Sequence, residues 1–142
     1  MALNLVRQLF LILALGGSAV SAEQLMLIAN VPGGESLDRE YGLLLLRGDQ
    51  KNWDGGIDAR VVLPSREAVS YEQVAKAVFG TSGKSMQRLW FRLVFSGRVN
   101  PPIYLGNDND VIDYVTQHEG AIAVVRRVDI NIPGIAMASL NP

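Results

Sequence analysis

Residues 89–125, LWFRLVFSGRVNPPIYLGNDNDVIDYVTQHEGAIAVV, decide the fold. Leu89, Trp90 and Leu93 continue a stripe begun at Met86, three and four residues apart, as on one face of a helix. Gly97 breaks that helix, and Pro101-Pro102 keep the chain out of helical conformation before a short strand at 103–105. Asn107 or Asp108 caps a second helix with Val111, Tyr114 and Val115 on its apolar face. Asp108 and Asp110 in its first turn oppose the helix dipole favourably. The run 121–125, AIAVV, then suits a buried strand.

Upstream, 25–31 (LMLIANV) is a continuous apolar run stopped by Pro32-Gly33-Gly34, hence a buried strand. Ser36 can cap a helix whose face holds Leu37, Tyr41, Leu44 and Leu45, with Gly48 as its stop. A polar loop at 49–56 follows. Residues 57–63 alternate apolar and polar as a strand ending at Pro64. Tyr71, Val74, Ala75 and Val78 share a helical face closed by Gly80, and 135–140 is a candidate last strand. Strands alternating with helices predict an α/β domain, a mostly parallel sheet flanked by helices.

This order of elements resembles the carboxy-terminal part of a lobe in periplasmic phosphate-binding proteins of ABC transporters, closest to small single-lobe relatives. Its marks are Trp90 followed by Phe95-Ser96-Gly97, the Pro101-Pro102 break and the closing Gly120-Ala121-Ile122. A fainter match runs through 43–53 (LLLLRGDQKNW) and Val62-Leu63-Pro64, so that most of 25–125 is covered. The resemblance implies a single lobe of a periplasmic-binding-protein-like fold, without catalytic activity.

The amino terminus agrees with export. Residues 1–22 carry one basic residue, Arg7, then an apolar core at 9–15 and small residues ending Val20-Ser21-Ala22. This is the layout of a secretory signal peptide cleaved after Ala22, which sends the protein to the periplasm. The competing reading is an uncleaved anchor, although the uncharged run is short of the roughly 20 apolar residues of a membrane span. Cleavage leaves a single domain, 23–142, and no expected membrane insertion. With no cysteine, a lipid anchor, disulfides and thiolate metal sites are excluded. The chain has 13 Lys+Arg and 14 Asp+Glu; loss of Arg7 leaves 12 against 14, a net charge of −2. That balance, interspersed along the chain, gives no electrostatic footprint for nucleic acid and no polybasic stretch for an anionic membrane surface.

No catalytic signature is present, so no enzyme activity and no cofactor are expected. Gly80–Ser85, GTSGKS, resembles the end of a phosphate-binding loop, but that motif needs a glycine where Val78 stands and a strand where a helix precedes. Ser82 or Ser85 as a helix cap is the simpler reading. His118 is the sole histidine and falls at the end of an apolar helix stripe, where a structural role near the carboxyl end is expected. Asp108-Asn109-Asp110 lacks the third oxygen ligand and the glycine of a calcium loop.

Anion binding is the reading that remains. A helix amino terminus offers unpaired N–H groups and partial positive charge. In the resembled family such a terminus carries an arginine and a serine-glycine-threonine run. The matching place is 62–70, VLPSREAVS, where that run is missing and Leu63 or Pro64 stands near the arginine's position. Ser65, Arg66 and Ser70 can substitute chemically, since a guanidinium and hydroxyls suit a phosphate; Arg66 is otherwise a solvated loop residue. Ser96, Gly97 and Arg98 form a second candidate rim, or else an ordinary turn. The expected ligand is inorganic phosphate or another oxyanion, with a transporter permease or another periplasmic protein as partner. The alternative is an assembly module that kept the lobe and lost the ligand.

Overall fold

The computed structural model describes residues 24–34, 36–126 and 131–141; the expected signal peptide at 1–22 lies outside them. Five strands form one sheet: β1 (Leu25–Ala29), β2 (Arg60–Pro64), β3 (Ile103–Leu105), β4 (Ala121–Arg126) and β5 (Ala136–Ser139). The helices are α1 (Arg39–Leu46), α2 (Tyr71–Val74), α3 (Gly83–Phe95) and α4 (Asp108–Gln117). α2 continues as a π-helical turn, Ala75–Phe79.

The strand order is β3-β2-β4-β1-β5. β2 runs parallel to both β3 and β4, while β1 is antiparallel to β4 and to β5. The α/β expectation holds, but the sheet is mixed, not mostly parallel. Between β1 and β2 the chain makes α1 and then a small hairpin, with Asn52 bridged antiparallel to Asp58, and β2 consequently enters the sheet opposed to β1.

Both faces of the sheet are buried, which is why β1 and residues 121–125 of β4 read as unbroken apolar runs and why Val61, Val62 and Leu63 of β2 are all buried. On one face Leu25, Leu27, Ala29, Val61, Leu63, Ile122 and Val124 pack against α1, the α2 turn and α3. On the other, Ile28, Val62, Ala121, Ala123 and Val125 pack under Val111 and Val115 of α4. The period of two is thus present in each strand, hidden because neither face meets water.

Local chemistry sets the helix ends. Asp38, not Ser36, caps α1, its carboxylate accepting the Tyr41 N–H at 3.1 Å. The buried leucines are Leu43, Leu45 and Leu46, while Leu44 is 40 % exposed. Four consecutive leucines leave the helical phase open, and the cap and the sheet below choose it. Ser82 caps α3 by accepting the Ser85 N–H at 3.2 Å, and Asn107 caps α4 by accepting that of Asp110 at 2.9 Å. His118 ends α4 with its ring stacked on Tyr114 and Nδ1 2.8 Å from the Tyr114 carbonyl. The strand expected from Ile57 begins at Arg60, because the turn through Gly55 and Gly56 leaves Ile57 exposed.

Candidate anion-binding site

The β2–α2 connection is built of tight turns. Ser65 donates its N–H to the Leu105 carbonyl of β3, Ala68 to Ser65, and Tyr71 to Ala68, with N···O distances of 2.9, 3.0 and 3.1 Å. This folding turns Ser70 inward, where it is 6 % exposed, and Arg66 outward. Ser70 precedes a helical segment of only four α-helical residues and makes no capping bond with its side chain. The helix-terminus argument for an anion therefore has little to act on here, and Arg66 is the open group of the three.

Arg66 does not stand by itself. Its Nε donates to Gln87 Oε1 of α3 at 3.2 Å. Gln87 lies on the outward side of α3, and the two elements enclose an open groove of about 590 Å³. Lys84, Ser85, Arg88, Phe91 and Arg92 complete its lining, so four cations face it and no carboxylate does. Among the described residues none of Arg66, Lys84, Arg88 and Arg92 makes an ion pair. Glu72 lies in a smaller adjoining recess with Arg66, Tyr71 and Lys84. Its carboxylate is engaged, accepting the Gly83 N–H at the start of α3 at 3.0 Å. That bond also occupies the positive end of α3. Burial pushes the Tyr71 hydroxyl pKa up, against the opposing pull of the Arg66 charge, so the phenol stays neutral beside the guanidinium at physiological pH.

Ser96, Gly97 and Arg98 are elsewhere. They close the far end of α3, nine or more residues beyond Gln87, or about 13 Å at 1.5 Å per residue. Gly97 takes φ +74 and donates to the Val94 carbonyl, while Arg98 donates to that of Leu93, at 3.0 and 3.1 Å. These paired bonds terminate the helix and satisfy its last carbonyls. Ser96 Oγ donates to Leu93 O at 2.9 Å. A helix carboxyl end carries partial negative charge, which disfavours an anion. The structure thus brings Arg66 together with α3's first three turns and leaves 96–98 apart.

Lys84, Ser85, Gln87, Arg88, Phe91 and Arg92 were not among the residues expected from sequence. The signal was legible: Lys84, Arg88 and Arg92 are spaced four apart and share one side of the helix. Ser82 and Gly83 of GTSGKS serve locally, Ser82 as the cap and Gly83 as the place where the Tyr71 ring lies against backbone with no room for a Cβ. Asp108 Oδ2 accepts the Arg126 N–H at 3.1 Å instead of joining a calcium loop. Among the described residues no group of three or more His, Cys, Asp or Glu side chains is placed to hold a metal ion. Nor, among them, is any helix long and apolar enough to cross a membrane.

Neither comparison with protein-family models nor comparison with curated proteins finds a match for this chain.

Proposed function

We infer that the chain is a non-catalytic, exported binding protein, similar to one lobe of the phosphate-binding component of an ABC transporter, and that it holds an oxyanion in the groove between Arg66 and α3. The observation that carries this reading is four cations around one open groove with no acid in its lining. Guanidinium forks match phosphate oxygens bidentately, and Ser85 and Gln87 supply neutral donors. The resemblance to a binding-protein lobe is supported by the helix-covered α/β sheet and by the β3-β2-β4 parallel core; the antiparallel β1 departs from the expected pattern.

Titration calorimetry with phosphate and with sulfate tests the site. An open groove leaves the anion hydrated and screened, so millimolar affinity is expected, about 4 kcal/mol. Arg66→Ala should abolish the heat. Equal binding by both proteins would remove Arg66 from the site.

The second reading, an assembly module without a small ligand, is favoured by the exposed Phe91 and Phe95 beside the same cations. Wild-type protein that takes up neither anion would leave this reading in possession. Export is tested separately: intact mass of the protein from the envelope fraction should begin at Glu23, and a cytoplasmic protein starting at Met1 refutes it.

A further inference from the structure

We propose that the outward face of α3 docks this protein on an anionic phospholipid surface, with Phe91 and Phe95 entering the interface and Lys84, Arg88, Arg92 and Arg66 binding the headgroup phosphates. The proposal rests on the anion-binding reading of the groove and extends it from a free anion to a surface of them.

Three observations converge. Phe91 and Phe95 are 63 % and 76 % exposed, an unusual position for large aromatics, and their rings pair one helical turn apart with centroids 4.4 Å from each other. At 100° per residue, Lys84, Phe91, Phe95, Arg88 and Arg92 fall within an arc of about 100°. The phenyls lie towards one side of that arc with cations among and beyond them. Arg66, held against Gln87, flanks that same side, next to Phe91. The opposite arc, Met86 and Trp90, is locked into the core, so the helix cannot rotate the phenyls away from solvent. Finally, none of these cations has a carboxylate partner among the described residues. The face therefore carries an excess of positive charge, with Glu72 in the adjoining recess as its acidic neighbour, on a protein whose overall charge is slightly negative.

This is the arrangement of an interfacial helix: apolar rings level with the acyl boundary and cations level with the phosphates. An acidic protein partner would have to offer shaped pockets for two projecting rings. A fluid bilayer needs none, because it deforms around them. Each cation near an anionic leaflet adds about fivefold to binding, and the effect fades with salt.

The test is sedimentation with vesicles of phosphatidylcholine, with and without phosphatidylglycerol, using protein purified from the envelope in the form the cell makes. Every variant keeps the same amino terminus, so that segment cannot account for differences between them. Wild type should pellet with the anionic vesicles at least about tenfold more strongly than with neutral ones. Phe91→Ser/Phe95→Ser and Lys84→Glu/Arg88→Glu should each lower that binding about tenfold or more. These side chains are exposed, and unchanged circular dichroism will establish that both variants fold. Wild type left in the supernatant, equal pelleting with neutral vesicles, or full binding by the phenylalanine variant overturns the proposal. So does preference for polyglutamate or single-stranded DNA over vesicles. Phosphate calorimetry on the same proteins separates the two readings. Phosphate heat without vesicle binding sinks the docking face alone; anionic-vesicle binding without phosphate heat sinks the free-anion site and upholds docking.

Discussion

Trp90→Ala is expected to lower the unfolding free energy by about 3–5 kcal/mol, as truncations of large core aromatics do. Trp90 is 1 % exposed and among the largest fully buried side chains. Its ring reaches from α3 to the turn that ends α1, where it lies with Leu93 and Val99 under Gly48. Deleting it opens a cavity between two helices that are each anchored to the sheet and cannot collapse inward. One detail sharpens the expectation. Trp90 Nε1 is buried and finds no acceptor among the described residues. A desolvated, unpaired N–H costs about 1–3 kcal/mol. Trp90→Phe removes that group together with part of the ring volume, so it should cost less than half as much as the alanine change. Denaturant titrations of the two variants decide it. Equal losses would show that Nε1 is satisfied, and an alanine variant as stable as wild type would remove Trp90 from the core.

Gly120→Ala is expected to cost about 2–4 kcal/mol, combining left-handed strain with overpacking. Gly120 sits at φ +84, at a junction where three segments meet. It donates to the Asn30 carbonyl at 2.8 Å, and its own carbonyl accepts from Arg60 N at 2.9 Å and from Trp53 Nε1 at 2.8 Å. A Cβ there would lie 2.9 Å from the Asp58 carbonyl oxygen and 3.5 Å from Trp53 Nε1. A backbone oxygen cannot swing aside as a side chain does, so β2's entry and the Trp53 hairpin must shift together. The reduced entropy of the unfolded chain returns only about 0.4–1 kcal/mol. Gly97→Ala is the internal control: its φ is +74, but nothing lies within 4 Å of its Cβ position. It should show the strain without the crowding. Equal thermal shifts for the two variants would mean that the Asp58 contact relaxes freely.

Much of the fold was legible because it is local. Met86 and Trp90 mark α3's inner face by spacing, and Ser82 and Asn107 are caps by residue type. The strand Leu25–Ala29 is apolar throughout and Ala121–Arg126 is apolar up to its last residue, as two-sided burial demands. The phase of α1 was less legible, because the Leu43–Leu46 run presents an apolar residue to every direction. Trp53 sat in a stretch read as a polar loop; its burial depends on a hydrogen bond to Gly120, 67 residues away.

The candidate site divides the same way. Arg66 was legible as a cation at a strand-to-helix connection. Its companions are legible only through their spacing of four, since Ser85-Met86-Gln87 and Leu89-Trp90-Phe91 separate Lys84, Arg88 and Arg92 along the chain and the mild net charge hides them. A helix turns every 3.6 residues, and that turn gathers the three onto one side.

By itself the sequence determined the main helices and strands, most of their stops, and which residues are apolar enough to be buried, because periodicity, turn chemistry and hydrophobicity act over a few neighbouring residues; the cap of α1 fell to Asp38 instead of Ser36. Only the tertiary structure decided that β1 runs against β4, that Arg66 meets Gln87 across 21 residues while Ser96–Arg98 stay at the other end of α3, and that Phe91 and Phe95 are left exposed. A strand buried on both faces has the same composition whether its neighbours run parallel or antiparallel, and the meeting of distant side chains depends on how the connections route the chain, which no local pattern records.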